Sequence, residues 1–154
     1  MTVRRRTAAG LLVACLLAMP AFAQEIRLRL ATSDAEALPI VRAGAGTSGV
    51  GGIETRLLLG DPTKAGPYTI SIRVPPDTHI AAHSHRDNRS AIVAKGVWHF
   101  GYGPKADDAA SKALPVGSYY TEPAEDPHFA WTGPEGATVY ISGVGPSDTR
   151  FTAK

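Results

Sequence analysis

The sequence has almost no cysteine: Cys15 is the only one in 154 residues, and it lies in an apolar segment near the N-terminus. A chain with one cysteine forms no internal disulfide, and we expect Cys15 to be removed with that segment. Cysteine thiolates are therefore excluded as metal ligands or nucleophiles of the mature domain. Its stability has to come from packing of the core.

Long apolar runs beyond the N-terminus are also missing, and neither sign of charge dominates. The chain has 16 Lys and Arg against 14 Asp and Glu, and 44% of its residues are hydrophobic. This composition and length indicate about one folded domain rather than a disordered chain. No later segment offers the roughly 20 apolar residues of a transmembrane helix, and no basic surface predicts nucleic-acid binding.

The N-terminal segment has the pattern of a signal peptide. A basic run, residues 4–6, precedes the apolar residues 10–18, and Ala21-Phe22-Ala23 fits a small-x-small cleavage site. A lipoprotein box at residues 12–15 is disfavoured, because apolar residues rather than a polar tether follow it. We expect cleavage after Ala23, which leaves 13 Lys and Arg against 14 acids and a net charge of −1. The sequence thus predicts a periplasmic or secreted domain spanning residues 24–154.

Short β-like runs separated by Gly- and Pro-rich turns follow in the mature chain. Such runs at this spacing predict an all-β sandwich or barrel. A first strand is expected at Ile26, Leu28 and Leu30, which alternate with arginines. Residues 42–52 predict a loop, and residues 105–112 a surface loop with a turn of helix. The other expected strands are 54–59, 68–74, 79–83, 90–94, 97–102, 118–121, 128–132 and 138–142.

Histidine is the residue type that carries the candidate chemistry. His83 and His85 stand at i and i+2, so both project from the same face of a strand and can reach one ion. His128 would have to come from a different strand. Neutral imidazole is a good ligand for zinc, iron, copper and nickel. His79, although in phase with this pair, is expected at the rim or in the core, and His99 in the wall or on the surface.

Two segments resemble the motifs of the cupin superfamily. The first runs from Pro75 through His83-Ser84-His85 to Gly96, and the second from Pro115-Val116-Gly117 through the Pro123 turn to His128. The resemblance covers roughly residues 68–145. It implies a single-domain jelly-roll barrel, also called a double-stranded β-helix, with a divalent metal inside. By this resemblance His83, His85 and His128 occupy three ligand positions, and the metal is Fe, Mn, Zn, Ni or Cu.

The fourth ligand position departs from the family pattern. Arg89 stands where the first motif has glutamate, and a guanidinium carries a fixed positive charge and no lone pair to donate. Three alternatives follow: a three-histidine metal site, a replacement carboxylate for which Glu122 is the first candidate, or a metal-free pocket in which Arg89 grips an anion. Arg89 is also a candidate partner for Glu122 or Asp87. We favour the three-histidine site.

A metal on these histidines would retain open coordination positions. Such an ion acts as a Lewis acid, lowers the pKa of bound water or, if it is iron, copper or manganese, binds dioxygen. The leading hypothesis is a metal-dependent oxygenase of a small organic substrate, with Arg89 orienting an anionic group and Arg89 and Glu122 as candidate catalytic residues. The competing hypothesis is a periplasmic module that binds or senses a metal or small anion without catalysis. By analogy with cupins, the Ile26–Leu30 edge is a candidate homodimer contact.

Overall fold

A computed structural model describes residues 26–41, 47 and 49–152. The expected signal peptide, with Cys15, lies outside the described residues, as do residues 42–46 and 48 of the expected loop. In the described part of the chain no helix has the length and apolar character needed to span a membrane.

The described residues form one short helix and eight strands. Helix α1 was not predicted from the sequence; a backbone N–H at its start, that of Ala31, is capped by the Asp34 carboxylate at 2.9 Å. The turn of helix predicted within residues 105–112 is present as a 3₁₀ turn. The elements in chain order are α1 Thr32–Ala37, β1 Glu54–Leu59, β2 Gly66–Val74, β3 His79–Ser84, β4 Arg89–Tyr102, the 3₁₀ turn Asp108–Ala110, β5 Lys112–Leu114, β6 Tyr119–Glu122, β7 His128–Gly145 and β8 Arg150–Phe151.

Strand β7 joins the two sides of the fold. The start of β7 pairs with β3 and its end pairs with β2, while β4 runs antiparallel along its other edge. The strand order is β1-β2-β7-β3-β8, with β5 and β6 attached to β4. All strand pairs are antiparallel, so the all-β prediction is confirmed.

Two turns expected between predicted strands, at Gly96 and at residues 133–136, are bulges inside long strands rather than breaks between strands. The Gly96 turn lies within β4, and the turn at residues 133–136 lies within β7, where the register between the two strands shifts. Gly96 has a φ of +72°, and a Cβ there would lie 2.1 Å from the Gly136 carbonyl oxygen. Glycine allows this close approach and left-handed backbone, and the extra residues bend both strands without ending them.

The predicted first strand at Ile26–Leu30 is wrong. These residues form no strand in the structure, and the side chains of Ile26, Leu28 and Leu30 are 69, 48 and 37% exposed. Alternation of apolar and charged residues describes only the two faces of a strand. A strand also needs a neighbour that accepts its backbone hydrogen bonds, and local sequence does not supply one.

The core is filled by inward-facing side chains of the curled sheet. Large aliphatic and aromatic groups from β2, β3, β4, β6 and β7 pack into one cluster. Six members of this cluster also line a small cavity beside His83 and His128, so part of the core forms the wall of that cavity. The most buried members are Tyr68, Ile70, Val74, Ala91, Val93, Trp98 and Val139, each at 2% exposure or less.

Candidate functional site

Three buried histidines converge inside the fold. His83 lies in β3 and pairs in register with His128, the first residue of β7, and His85 follows the end of β3. The three rings contact one another, with centroids 4.6 to 5.2 Å apart. One ring nitrogen from each histidine lies within 4.8 Å of the other two. Residues more than forty positions apart are thus brought within reach of a single ion.

An irregularity in β3 turns the two motif histidines inward. Ile80 pairs with Ala130 and His83 with His128, so β3 contains one residue more than β7 over this stretch. The extra residue exchanges the two faces of the strand. His79 consequently points outward, with a side chain that is 60% exposed, although the sequence places it in phase with His83 and His85. We expected His79 at the rim or in the core. The core is excluded because the side chain points outward.

Backbone carbonyl groups fix the orientation of all three rings. Nδ1 of His83 donates to the Ala81 carbonyl at 2.8 Å, and Nδ1 of His128 donates to the Asp126 carbonyl at 3.1 Å. Nδ1 of His85 donates to the Asp148 carbonyl. Each ring therefore carries its proton on Nδ1 and keeps a lone pair on Nε2, the arrangement used by metal-binding histidines whose other nitrogen is held by a carbonyl.

Burial keeps these imidazoles neutral. Desolvation and then the neighbouring His128 lower the pKa of His83 to about 4, and desolvation and then Arg89 lower the pKa of His85 to about 3. Desolvation also lowers the pKa of His128. A metal ion binds the neutral form of imidazole, so the lone pairs are available near pH 7. Nε2 of His128 is buried and makes no hydrogen bond, which leaves one lone pair unpartnered.

Arg89 and Glu122 form a buried ion pair beside the histidines. The two residues are register partners in β4 and β6, and both are at least 95% buried. Arg89 donates from Nε to Glu122 Oε2 at 2.6 Å and also from Nη2. Of the partners that the sequence left open for Arg89, the structure shows pairing with Glu122.

The ion pair touches the candidate ligands directly. Nη2 of Arg89 donates to Nε2 of His85. Oε2 of Glu122 lies 3.7 Å from Nε2 of His85 and 3.6 Å from Nε2 of His128. Burial alone would raise the pKa of Glu122, but the Arg89 charge holds it at about 2, so the carboxylate is ionised. Arg89 therefore occupies the lone pair of one histidine, and Glu122 lies close to two of them.

A buried network on the other side of Arg89 was not found by sequence reasoning. Tyr68 donates to one oxygen of Asp87 at 2.7 Å, and Ser147 donates to the other at 2.6 Å. Burial raises the pKa of Tyr68 to about 12, so its hydroxyl stays protonated and donates. No motif signals this network because Tyr68, Asp87 and Ser147 come from three distant segments.

Gly143 makes room for this network, which gives a testable prediction. A Cβ at Gly143 would lie 2.6 Å from the Tyr68 hydroxyl and 2.7 Å from an Asp87 oxygen. We expect Gly143→Ala to lower the free energy of unfolding by about 1–3 kcal/mol, as overpacking does. Gly133→Ala, in the same strand, is the control because no atom lies within 4 Å of its Cβ position. Urea unfolding of both variants measures the difference, and equal stabilities would contradict the prediction.

The cavity beside the histidines is small. It measures about 20 Å³, room for a single water molecule. Four polar or charged residues line it, His83, Arg89, Glu122 and His128, together with six apolar residues: Ile72, Ile80, Trp98, Phe100, Ala130 and Ile141. Nε1 of Trp98 is buried and has no hydrogen-bond partner. The site as folded admits only a very small ligand.

The depressed histidine pKa values predict acid sensitivity of the metal-free protein. Unfolded histidine titrates near 6.5, whereas His83 in the folded state titrates near 4, so the unfolded chain binds more protons between these values. Stability is fully present above pH 6.5 and falls as the pH drops toward 4, by about 3 kcal/mol for His83 alone. Chelator-treated protein should show this loss in urea unfolding between pH 7 and 4.5, and a flat profile would contradict it.

Two further histidines stack on the outer surface. Trp131 lies between His79 and His99 in the sheet register, and its ring stacks on His99 with centroids 3.5 Å apart and on His79 at 5.9 Å. Nε2 of His79 also lies 3.1 Å from an Asp108 carboxylate oxygen. His99 is thus a partly exposed residue of the outer wall, one of the positions expected for it, and it does not join the buried cluster.

Comparison with solved structures identifies the fold. An RmlC-like cupin from Shewanella frigidimarina superimposes with a TM-score of 0.55 and 19% identity, over 71% of this chain and 85% of that one. A sugar phosphate isomerase from the cupin superfamily of Silicibacter pomeroyi gives 0.55 and 16% identity, over 73 and 74% of the two chains. The chain has the cupin fold. The fold implied by the sequence motifs is thereby confirmed.

The same cupin architecture is found with several activities. The polyketide cyclase RemF from Streptomyces resistomycificus superimposes with a TM-score of 0.62 and 18% identity, over 84% of this chain and 87% of that one. No protein-family model matches the sequence, and comparison with curated proteins gives no match. At these identities the comparisons establish the cupin fold alone, and function has to be argued from the site.

The donor set of this site fits a divalent metal ion. Three neutral imidazoles with Nδ1 anchored and one unpartnered Nε2 are suitable ligands for a first-row transition metal. The Arg89 guanidinium would have to release the His85 lone pair before a metal could use it. Glu122 lies within 3.7 Å of two of these nitrogens, so it remains the candidate fourth ligand.

Proposed function

We propose that the protein is an exported, metal-binding cupin and that its metal centre serves the oxygenation of a small organic substrate. The observation that supports this proposal most strongly is the buried cluster of His83, His85 and His128, with one ring nitrogen of each within 4.8 Å of the others. These residues would hold an Fe, Mn, Zn, Ni or Cu ion, with Glu122 as the candidate fourth ligand. A redox-active ion there supplies Lewis acidity and, for iron, manganese or copper, reactivity with dioxygen.

The protein's own groups have separate roles in this proposal. The carbonyl groups of Ala81, Asp126 and Asp148 hold the three ring protons, so the histidines present their lone pairs without rotation. Arg89 keeps Glu122 ionised and oriented. The apolar residues that line the cavity lower the local dielectric constant, which strengthens electrostatic interactions inside it.

A non-catalytic role in binding or sensing is the second candidate. It is supported by the size of the cavity, about 20 Å³, and by the pairing of Glu122 with Arg89, which occupies the only carboxylate among the residues lining the cavity. A general acid or base needs a group that is available to exchange a proton with the substrate. Both candidate functions include a signal peptide at residues 1–23 and a periplasmic or secreted location.

The proposed metal and activity can be tested on the purified protein. Elemental analysis of residues 24–154, purified without chelator, should show about one transition-metal ion per chain. Oxygen uptake with catechols, thiols and keto acids then separates the candidates. A redox metal with substrate-dependent uptake supports the oxygenase, and metal without turnover supports a metal-binding module. The absence of metal after incubation with each of the five ions contradicts both of these and favours the alternative of an anion site at Arg89.

Export can be tested separately by comparing the full chain with a variant that lacks residues 1–23. We expect the full chain to be recovered from the periplasm or medium with Gln24 as its first residue. N-terminal sequencing and cell fractionation measure this outcome. An intact N-terminus in the cytoplasmic fraction would contradict the predicted leader.

A further inference from the structure

The buried charges in this site are unusual for a metal centre. Glu122 supplies one negative charge and Arg89 one positive charge, and the two are joined by hydrogen bonds from Nε and Nη2 of the guanidinium. Each of the three histidines donates its Nδ1 proton to a backbone carbonyl, and Nε2 of His85 accepts from Arg89, so the geometry adds no positive charge from the imidazoles. Among the residues that line the cavity, the formal charges therefore cancel before any metal is bound.

A divalent metal would bring a net charge of +2 into this closed environment. In a site with a ligand glutamate and no arginine, the carboxylate would offset half of that charge. Here the Arg89 guanidinium already neutralises the Glu122 carboxylate. An uncompensated charge buried among apolar groups is strongly unfavourable, and six of the residues that line the cavity are apolar.

We propose that the metal enters this site together with a small coordinating anion. The anion supplies negative charge to the metal, because the charge of Glu122 is already neutralised by Arg89. This inference rests on the proposed metal function and adds to it the class of ligand: a compact monoanion, or the carboxylate end of a substrate. The cavity volume of about 20 Å³, room for a single water molecule, favours a compact anion, and an anion of two or three atoms such as azide requires the wall to move outward.

A second observation favours an acceptor-bearing ligand. The indole nitrogen of Trp98, one of the residues that line the cavity, is a pure donor and is buried, and neither it nor the neighbouring Tyr120 hydroxyl makes a hydrogen bond of good geometry. A buried donor without an acceptor is unfavourable. An anion provides acceptors, whereas a further cation or an apolar group does not.

The test measures the coupling between metal and anion without any substrate. Co²⁺ is titrated into the metal-free protein and followed by its visible absorption, once in sodium azide and once in sodium perchlorate at the same ionic strength. We expect Co²⁺ to bind at least about tenfold more tightly in azide. Because coupling is reciprocal, azide should bind the Co²⁺ form at least about tenfold more tightly than the metal-free form.

Charge variants distinguish the effect of net charge from a direct contact between arginine and azide. Arg89→Gln frees the Glu122 charge, so we expect tighter Co²⁺ binding in perchlorate and a coupling below about threefold. The double variant Arg89→Gln/Glu122→Gln removes one charge of each sign and restores the net charge of the wild type. We expect it to retain the coupling, and it also keeps the test informative should Arg89→Gln fail to fold.

The control is Lys95→Gln, which removes a positive charge from the exposed surface of the same strand as Arg89. It should keep the wild-type coupling. Co²⁺ that binds the wild type equally in azide and perchlorate would overturn this inference and leave the metal site standing. Full coupling in Arg89→Gln, or its loss in the double variant, would also overturn it, and failure of Co²⁺ to bind at all would overturn both proposals.

Discussion

Replacing both His83 and His85 by alanine is expected to abolish metal binding at one ion per chain while the barrel stays folded. The two side chains supply two of the three converging nitrogens, and one imidazole cannot hold a divalent ion against water. We expect the apparent affinity for Zn²⁺ or Co²⁺ to fall by more than about 100-fold, at least the loss seen when even supporting residues of a metal site are removed.

The double variant should remain folded because the histidine cluster lies in a barrel that is stabilised by its own hydrophobic core. The strands around the site pair through backbone hydrogen bonds, and the apolar cluster extends well beyond it. This differs from small zinc domains, whose folding depends on the metal. Far-ultraviolet circular dichroism should therefore match that of the wild type.

The matched control removes two other histidines, by His79→Ala and His99→Ala. Both stack on Trp131 at the outer surface and lie outside the buried cluster, so metal binding should be unchanged. Competition with a chromophoric chelator measures the affinities of both double variants. Stoichiometric metal in the His83→Ala/His85→Ala protein would remove the basis of the metal assignment.

Glu122→Gln is expected to lower the free energy of unfolding by about 3–5 kcal/mol. The substitution leaves Arg89 charged and buried at 5% exposure without its carboxylate. Removing one partner of a buried ion pair is far more harmful than removing both, because the remaining charge has no compensation. The loss should exceed that of any conservative surface substitution, and urea unfolding at pH 7 measures it.

The double variant Arg89→Gln/Glu122→Gln should recover at least half of that loss. Two neutral amides of similar size still form a hydrogen bond in the same place, and no charge remains without a partner. A double-mutant cycle gives the coupling energy of the pair directly. If the double variant is instead as unstable as the sum of the single variants, the ion pair is not the reason why Arg89 and Glu122 are buried.

The sequence predicted the class of fold because it depends on local patterns. Short runs of β-forming residues and Gly- and Pro-rich breaks specify many strands. The i, i+2 spacing of His83 and His85, and the resemblance to the cupin motifs for His128, indicated which imidazoles to compare. Local patterns were misleading where strand pairing decides the outcome. The Ile26–Leu30 segment alternates like a strand but pairs with no strand among the described residues, while Gly96 breaks the pattern and lies inside β4.

The sequence by itself determined an all-β domain, three histidines as candidate ligands and an arginine where the cupin motif has glutamate. Tertiary structure alone decided that an extra residue in β3 turns His83 and His85 inward and leaves His79 outside. It also decided that Arg89 pairs with Glu122, because register between β4 and β6 joins residues 33 positions apart. Charge compensation acts through space, so the chemistry of this site depends on contacts between residues that are far apart in the sequence.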